Sequence, residues 1–376
     1  MNTLIRRYHQ LKMIPLMAFS KLLSCFRKEK HWVLHERGTD ARDNAYFFYR
    51  YLKENYREQK VYYIIDKKSP DHPKVAADAV QFGSLKNYWA MATAEKIIST
   101  HCFFGLPCMN SKMFRFCGLN RKFYFLQHGI TSNYLSQMHF RNAQIKMLFC
   151  AAQPEYEYMR SRYDYPEENL RYTGFARYDT LHNICAKRQI VIMPTWRKNI
   201  SNEQEFLASQ YYKSWNALLT DPGFAEFLNK NDLEAIFYPH FEMQKYLHAF
   251  QSCSERILLG DFAHFDVQNL LKESLLLVTD YSSVSFDFAY MRKPMVYFQF
   301  DTEAFFSEHY EPGYFSYGEM GFGPVVDQVP ALLGAMEQSA EHGFAPTKTY
   351  AERMDAFFPL YDQKNCQRIY GCITEA

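Results

Sequence analysis

The stretch Leu275–Asp301 constrains the fold more than any other part of the sequence, because it predicts a strand, a polar turn, a short helix and a second strand in direct succession. Leu275–Val278 is an uninterrupted apolar run, which is typical of a parallel strand covered on both faces. Three residues of the types that begin helices follow it: Asp280, Ser282 and Ser283. Met295–Phe300 is then predicted to form the next strand. This order of elements indicates an α/β fold.

The turn between that first strand and its helix predicts an anion site. Backbone N–H groups at the start of a helix and the helix dipole both attract negative charge, and hydroxyl groups add further donors. A phosphate or pyrophosphate is the expected ligand. The alternative interpretation is that Ser282 and Ser283 only cap the helix.

Size and composition favour two domains without a nucleic-acid partner. A chain of 376 residues exceeds one ordinary core, and its 48% hydrophobic and 18% aromatic residues suffice to fill two. The formal charge is only +2, from 43 basic and 41 acidic residues, whereas a nucleic-acid-binding surface calls for a strongly basic face. Any electrostatic function is therefore expected to be local.

The sequence predicts neither a cofactor nor an essential protein-bound metal. Its nine cysteines are scattered without the paired spacing of a zinc site, and they resemble reduced thiols rather than a disulfide framework. A Gly-x-x-x-x-Gly-Lys loop is absent from the sequence, as is an acidic pair at a spacing that demands magnesium.

Residues 1–30 combine seven basic side chains with many apolar ones. The longest apolar run, Met13–Phe19, is too short to span a bilayer. We predict that residues 1–30 form a basic amphipathic segment that lies on an anionic membrane surface. The alternative is a helix that packs on the protein's own body.

From Trp32 onward, predicted strands alternate with predicted helices, which indicates doubly wound, mostly parallel sheets. The predicted strands are Trp32–Leu34, Val61–Ile65, Val80–Phe82, Lys96–Ser99, Phe123–Leu126, Ile145–Cys150, Ile190–Met193, Glu234–Tyr238, Arg256–Leu259, Leu275–Val278 and Met295–Phe300. With a boundary in Thr173–Gln189, we expect one domain over residues 31–180 and another over residues 181–376. Helical spacing near the end of the chain predicts a terminal helix that could cross back over the first domain.

Polar side chains follow three predicted strands of the second half. They are Thr195 and Arg197, then His240, then Asp280 with Ser282 and Ser283. Because ligands of such sheets gather at the carboxyl ends of the strands, this shared position favours binding of a nucleotide diphosphate. Taken singly, Arg197 is more typical of a surface residue and His240 of a turn histidine.

In the first half, the predicted strand Phe123–Leu126 leads into Gln127-His128-Gly129. Gly129 allows a close approach of substrate or backbone. A histidine with an ordinary pKa near ~6.5 can accept a proton at neutral pH, and general-base assistance is typically worth about 10²- to 10⁴-fold. His128 is thus a candidate base for an acceptor hydroxyl. The alternative is a buried structural histidine.

Several of these motifs, in this order and spacing, carry a family resemblance. They are Gln127-His128-Gly129, Pro194-Thr195-Trp196-Arg197, Tyr238-Pro239-His240, Thr279-Asp280-Tyr281-Ser282-Ser283 with Phe286-Asp287, and Gly323-Pro324-Val325-Val326. Over about residues 32–373 the sequence resembles the CDP-glycerol glycerophosphotransferase family. This family includes teichoic acid glycerol- and ribitol-phosphate primases and polymerases and related capsule enzymes.

The resemblance implies a GT-B-like pair of Rossmann-type domains that face each other across a cleft. It implies transfer of a polyol phosphate from CDP-glycerol or CDP-ribitol to a hydroxyl of a lipid-linked or polymer acceptor, with release of CMP. The reaction would serve teichoic acid or capsule synthesis in a peripheral protein at the cytoplasmic face of the cell membrane.

The resemblance also implies roles for particular residues. His128 and Gly129 would lie on the acceptor side, with His128 as the base. His240 would act catalytically near the pyrophosphate of the donor. The remaining matches are donor-binding residues: Thr195, Arg197, Asp280, Ser282 and Ser283. Two alternatives stay open, a GT-B glycosyltransferase that uses a nucleotide sugar and a non-catalytic membrane-surface module that binds glycan or nucleotide.

Overall fold

The computed structural model describes residues 30–182, 185–308 and 311–376, together with Pro15. The membrane-surface segment predicted over residues 1–30 lies outside the described residues, apart from Pro15 and Lys30. Within the described ranges, no helix has both the length and the apolar character that a membrane crossing requires.

The strands in chain order are β1 (Trp32–His35), β2 (Val61–Ile65), β3 (Ala79–Gln81), β4 (Lys96–Ser99), β5 (Phe123–Phe125), β6 (Met147–Cys150), β7 (Leu170–Tyr172), β8 (Gln189–Met193), β9 (Glu234–Phe237), β10 (Ile257–Leu259), β11 (Leu276–Thr279), β12 (Met295–Phe298) and β13 (Val325–Val326). The α-helices are α1 (Asn44–Asn55), α2 (His72–Val75), α3 (Leu85–Thr93), α4 (Ser111–Phe116), α5 (Phe140–Ala143), α6 (Gln153–Arg162), α7 (Glu203–Ala208), α8 (Gln210–Leu219), α9 (Pro222–Lys230), α10 (Val267–Glu273), α11 (Val284–Tyr290), α12 (Thr302–Glu308), α13 (Tyr317–Met320), α14 (Val329–Glu341), α15 (Lys348–Phe357) and α16 (Asn365–Glu375).

The described residues divide into two compact units. Unit 1 contains the described residues up to Ile130, then Ser136–Thr180 and Asp362–Ala376. Unit 2 contains Thr131–Leu135 and Leu181–Tyr361. Two segments thus differ from a simple division at residue 180, namely residues 131–135 and the end of the chain.

Each unit holds one parallel sheet, which confirms the predicted α/β class. In unit 1 the strand order is β3-β2-β1-β4-β5-β6-β7, and in unit 2 it is β10-β9-β8-β11-β12-β13. In each sheet the chain first builds outward on one side and then continues on the other side. The switch lies between β1 and β4 in unit 1 and between β8 and β11 in unit 2, and ligands of such sheets bind beyond the strand ends at this point.

Continuous apolar strands form the centre of both cores. All four residues of β11 are buried, as expected for a parallel strand with helices on both faces. In unit 2 the strands pack with large side chains of α8 and α9, including Trp215 and Phe224, both 0% exposed. These helices therefore cover the sheet through an amphipathic face.

The terminal helix α16 belongs to the core of unit 1. Ile369 and Ile373 are 1% and 0% exposed and pack in the same cluster as β1 and β2, and burial of such a side chain is worth about 1.5–3 kcal/mol. The Asp179 carboxylate accepts the backbone N–H groups of Asn365 and Cys366 at 2.8 and 2.9 Å. These bonds satisfy donors that the first turn of a helix leaves unpaired.

All eleven predicted strands are confirmed. The predictions for Val61–Ile65 and Lys96–Ser99 coincide with β2 and β4, and the others shift by one to two residues at their ends. Sequence reasoning missed the edge strands β7 and β13, which are only three and two residues long. Short edge strands lack the apolar run by which a central strand is recognised.

Candidate active site

His128 lies on a turn that follows β5 at the carboxyl edge of the unit 1 sheet. The preceding residue, Gln127, has a φ of +56°, a left-handed conformation that costs a non-glycine residue energy and persists only where its surroundings enforce it. The buried Gln127 side chain donates to the carbonyl of Phe149 at 2.8 Å and to the carboxylate of Glu155 at 3.2 Å. These contacts hold the turn, and His128 itself is exposed.

Two buried side chains from distant parts of the unit 1 sequence also hydrogen-bond to this turn. The Asn44 side-chain amide donates to the Gln127 carbonyl at 2.7 Å. Arg177, only 4% exposed, donates through Nη1 to the His128 carbonyl at 3.1 Å and to the Asp43 carboxylate at 2.9 Å. The backbone N–H of Arg177 donates to the Asn44 side-chain oxygen at 3.1 Å, so the two residues that hold the turn also bind each other. We call these two residues the clamps of the turn. Asn44 and Arg177 therefore position the histidine turn.

The start of α1, which supplies Asn44, is organised by the buried Glu36. Its carboxylate accepts the backbone N–H groups of Arg42, Asp43 and Tyr46 at 3.0, 2.9 and 3.2 Å. Burial, reinforced by the negative charge of Asp43, raises the pKa of Glu36 to about 8, while the three N–H donors oppose that shift. Glu36 thus ties the end of β1 to the start of α1.

The His128 ring is crowded by protein although part of it stays accessible to solvent. Its desolvation lowers the pKa of His128 below the ordinary value; Asp43 opposes this shift, and the positive charges of Arg177 and Arg37 add to it. The backbone of Thr100 hydrogen-bonds to the ring and raises the pKa, as a carbonyl acceptor does. A lowered pKa leaves the imidazole neutral near pH 7, which is the form that accepts a proton.

The structure brings a further histidine to this edge that sequence reasoning missed. His101 follows β4, the strand next to β5, and its ring stacks on that of His128 with centroids 4.7 Å apart and planes 14° apart. Desolvation, together with nearby His128, Arg37 and His35, lowers the pKa of His101 to about 2. The available signal was its position after a predicted strand, which matches the position of His128.

In unit 2, the carboxylate of Asp280 joins the two loops that flank the switch point. It follows β11, is 0% exposed, and accepts the backbone N–H groups of Tyr281 at 2.7 Å and Thr195 at 2.8 Å. Thr195 follows the neighbouring strand β8. Burial raises the pKa of Asp280, while Arg197 and these N–H donors lower it.

Arg197 is buried rather than on the surface, at 5% exposure. Its guanidinium donates to Asp280 at 2.9 Å, to Asp301 at 2.8 and 3.0 Å, and to the Thr195 carbonyl at 2.8 Å. Desolvation lowers the pKa of Arg197, but the two carboxylates outweigh it, so the pKa lies above its ordinary value. Four aromatic rings surround the cation at 4.9 to 5.9 Å: Tyr211, Tyr281, Phe300 and Phe305. All three nitrogens of Arg197 thus hold parts of the protein itself.

His240 follows β9 and is exposed, with its ring against that of Trp196 at a centroid distance of 6.2 Å. Its Nδ1 accepts the backbone N–H of Glu242 at 3.3 Å. A neutral ring that accepts at Nδ1 carries its proton on Nε2, which suits donation to an anionic oxygen.

The two serines lie at the start of α11. Ser282 is half-buried and Ser283 exposed, and the Ser283 side chain makes no capping hydrogen bond to the helix. The alternative that the serines only cap the helix is therefore not supported for Ser283. Because α11 has only seven residues, its dipole alone does not make the anion site that the sequence predicted.

The hydroxyl of Thr195 stands out among the buried polar atoms. Thr195 is 8% exposed, and its Oγ1 has no hydrogen-bond partner among the described residues. An unpaired buried hydroxyl costs about 1–3 kcal/mol and calls for an explanation. Among the residues that the structure describes, no group of three or more His, Cys, Asp or Glu residues is arranged to hold a metal ion.

Comparison with known proteins identifies the family. Residues 16–375 match the family model described as CDP-glycerol:poly(glycerophosphate) glycerophosphotransferase. The chain belongs to this family. The glycerophosphotransferase family model thus spans both units.

Two curated relatives come from Bacillus subtilis (strain 168). The minor teichoic acid biosynthesis protein GgaB is 31% identical over 371 residues, which cover 94% of this chain and 41% of that protein. The teichoic acid poly(glycerol phosphate) polymerase is 24% identical over 366 residues, which cover 89% of this chain and 47% of that protein. The chain therefore spans less than half the length of these glycerophosphotransferase-related proteins.

Solved structures support the fold. The wall teichoic acid polymerase TagF matches with a TM-score of 0.69 at 16% identity, covering 100% of this chain and 99% of that chain. The UDP-GlcNAc 2-epimerase from Neisseria meningitidis matches with a TM-score of 0.54 at 10% identity, covering 93% and 100%. These likenesses confirm a GT-B-like α/β fold for this family member.

Proposed function

We propose that the chain transfers glycerol phosphate or ribitol phosphate from a CDP-alcohol to a hydroxyl of a lipid-linked or polymer acceptor in teichoic acid or capsule synthesis. The observation that carries the proposal is the His128 turn. Its imidazole is neutral and accessible, and four other parts of unit 1 hold the turn in place. Family membership supports the choice of reaction.

In the proposed reaction, His128 takes the proton of the acceptor hydroxyl. The resulting oxygen attacks the phosphorus that carries the polyol, a new P–O bond forms, and the P–O bond to the CMP phosphate breaks. CMP leaves with the electron pair of that bond, and His128 later releases its proton to solvent. Such transfers depend on positioning and charge stabilisation rather than on covalent help from the protein.

Donor binding falls to residues of unit 2. We assign the diphosphate to the Nε2–H of His240, the hydroxyls of Ser282 and Ser283, and the unpaired hydroxyl of Thr195. Asp280 and Arg197 take a different role from the one expected for them. Because their donors and acceptors bind other parts of the protein, we infer that they position the Thr195 and Ser282 loops without touching the donor.

The test is to incubate the purified protein with CDP-glycerol, CDP-ribitol and a nucleotide sugar, each with a short glycerol-phosphate acceptor on a lipid, and to identify the released nucleotide. We expect CMP, together with an acceptor longer by one polyol phosphate. Release of a nucleoside diphosphate from the sugar donor instead would support a glycosyltransferase. Normal donor binding without turnover of any donor would support the non-catalytic module.

We further propose a peripheral position at the cytoplasmic face of the membrane through residues 1–30, on the basis of their seven basic side chains beside apolar ones. Sedimentation with vesicles that contain anionic lipid tests this. A protein that starts at Lys30 should stay in the supernatant, while the full chain should pellet; equal pelleting of both would refute the assignment.

A further inference from the structure

The two stacked histidines of unit 1 follow two neighbouring parallel strands. β4 and β5 are neighbours in register, with Ser99 opposite Phe125. His101 comes two residues after the end of β4, and His128 comes three residues after the end of β5. Their rings therefore extend from the same edge and lie nearly parallel, with centroids 4.7 Å apart.

His101 is itself held firmly. The buried Ser99 hydroxyl accepts the His101 backbone N–H at 3.0 Å and donates to the His101 carbonyl at 3.0 Å. The Thr100 hydroxyl and the His101 Nδ1 share a hydrogen bond of 2.9 Å. Because both the backbone and the ring of His101 are fixed, the ring can serve as a rigid surface for its neighbour.

We propose that His101 is a positioning residue, whose ring holds the plane of the His128 imidazole so that one nitrogen faces the acceptor hydroxyl. This inference rests on the proposed function of His128 as the base. The stack with His101 covers one face of the His128 imidazole and so limits the rotation of its ring. A base must lie within hydrogen-bond reach of the proton it removes, so small rotations reduce the rate.

Charge supports the same role. Because the pKa of His101 lies at about 2, its ring stays neutral at working pH and does not repel a proton that arrives on His128. The charged groups that act on His128 are Asp43, Arg177 and Arg37. His101 adds a flat, neutral face that also excludes water from one side of His128.

The experiment compares the full chain carrying His101→Ala, His101→Phe or, as a control, His264→Phe. His264 is an exposed unit 2 residue, paired with Asp261. We expect His101→Ala to lower kcat about 10- to 100-fold with the donor KM within about twofold, since misplacement of a catalytic group acts on the chemical step. His101→Phe restores a flat ring and should recover kcat to within about fivefold of the wild-type value, and His264→Phe should leave it unchanged.

Equal kcat for His101→Ala and wild type would overturn the proposal, as would His101→Phe being as slow as His101→Ala while melting at the wild-type temperature. An NMR titration of the His128 imidazole, labelled with ¹⁵N, gives a readout independent of turnover. His101→Ala should raise the pKa of His128 toward its ordinary value because water gains access, whereas His101→Phe should keep it low. If the wild type turns over no CDP-alcohol, the proposed function fails, but this titration still decides whether His101 holds His128.

Discussion

The carboxyl edge of the sheet in unit 1 and that of the sheet in unit 2 are built from the same kinds of elements, but different contacts stabilise the loops of each. In unit 1, the neutral ring of His101 stacks on His128, and Asn44 and Arg177 bind main-chain carbonyls of the turn, while Arg177 also pairs with the partly exposed Asp43. In unit 2, a fully buried ion pair between Arg197 and Asp280 joins the loops. The base that we propose in unit 1 needs a neutral resting form, whereas the donor-binding loops that we propose in unit 2 need backbone and hydroxyl donors held rigidly in place.

This difference predicts whether a substitution changes the reaction rate or the free energy of unfolding. Changes at the unit 1 edge should lower the rate with little loss of folding, because its key ring is exposed. Changes at the unit 2 edge should lower the free energy of unfolding, because its loops are joined by buried ion pairs of Arg197 with Asp280 and Asp301.

The largest effect is expected for His128→Asn, which removes the proposed base but keeps a polar side chain of similar reach. kcat should fall by about 10²- to 10⁴-fold, the usual worth of general-base assistance, while donor binding stays intact. Steady-state CMP release and calorimetric titration with the CDP-alcohol measure the two quantities. His248→Asn, at an exposed unit 2 residue, serves as the matched control, and loss of activity in both variants would contradict the assignment.

Asp280→Ala should cost about 3–5 kcal/mol of the free energy of unfolding, since it removes one of the two carboxylates that pair with the buried Arg197 and leaves the backbone N–H groups of Thr195 and Tyr281 without their acceptor. Denaturant unfolding followed by tryptophan fluorescence measures this cost. Asp355→Ala is a matched control, because Asp355 pairs with Arg292 while 70% of its side chain is exposed, and such pairs are worth about 0–1 kcal/mol. Similar losses in the two variants would show that the Asp280 pair is not a structural clamp.

Arg177→Lys should separate clamping from charge in unit 1. Lysine keeps the positive charge but lacks the planar fork that reaches the His128 carbonyl and Asp43 together. We expect kcat to fall about 10-fold with an unchanged donor KM. Arg160→Lys, on the exposed face of α6, should behave as wild type. An unchanged kcat for Arg177→Lys would show that the turn is held without this contact.

The smallest effect that we expect is on the loss of stability at acidic pH. The pKa of His101 is about 2 in the folded protein against about 6.5 in an unfolded chain, so below pH 6.5 the unfolded state binds the proton and the folded state does not. Stability from this group is therefore lost as pH falls from about 6.5. His101→Phe should lose less Tm than the wild type between pH 7 and pH 4.5, measured by differential scanning fluorimetry. Parallel Tm curves would contradict the prediction.

Sequence patterns recovered the central strands because their apolar runs are long enough to recognise, as for β2 and β4. They also placed His128, Thr195, His240 and Asp280 at strand ends. They did not reveal that Arg197 is buried, because a lone arginine after a strand gives no sign of two carboxylates that approach it from residues 280 and 301. Such contacts depend on strand register and on loops distant in sequence.

His101 shows the same limit from another side. The role proposed for His101 depends on His128, which follows the neighbouring strand β5. A linear pattern does not show which strands lie side by side. Once the strand order is known, a polar residue after each strand next to the switch point becomes a candidate.

One buried acidic side chain of unit 1 supports several of these features. The Glu36 carboxyl group accepts three backbone N–H groups at the beginning of α1. Asn44, the first residue of that helix, binds the His128 turn, and Asp43, which caps the helix, pairs with Arg177. The position of the His128 turn therefore depends on a buried carboxyl group that binds the start of the supporting helix. Anyone who transplants the histidine turn into another scaffold will need to bring that distant anchor with it.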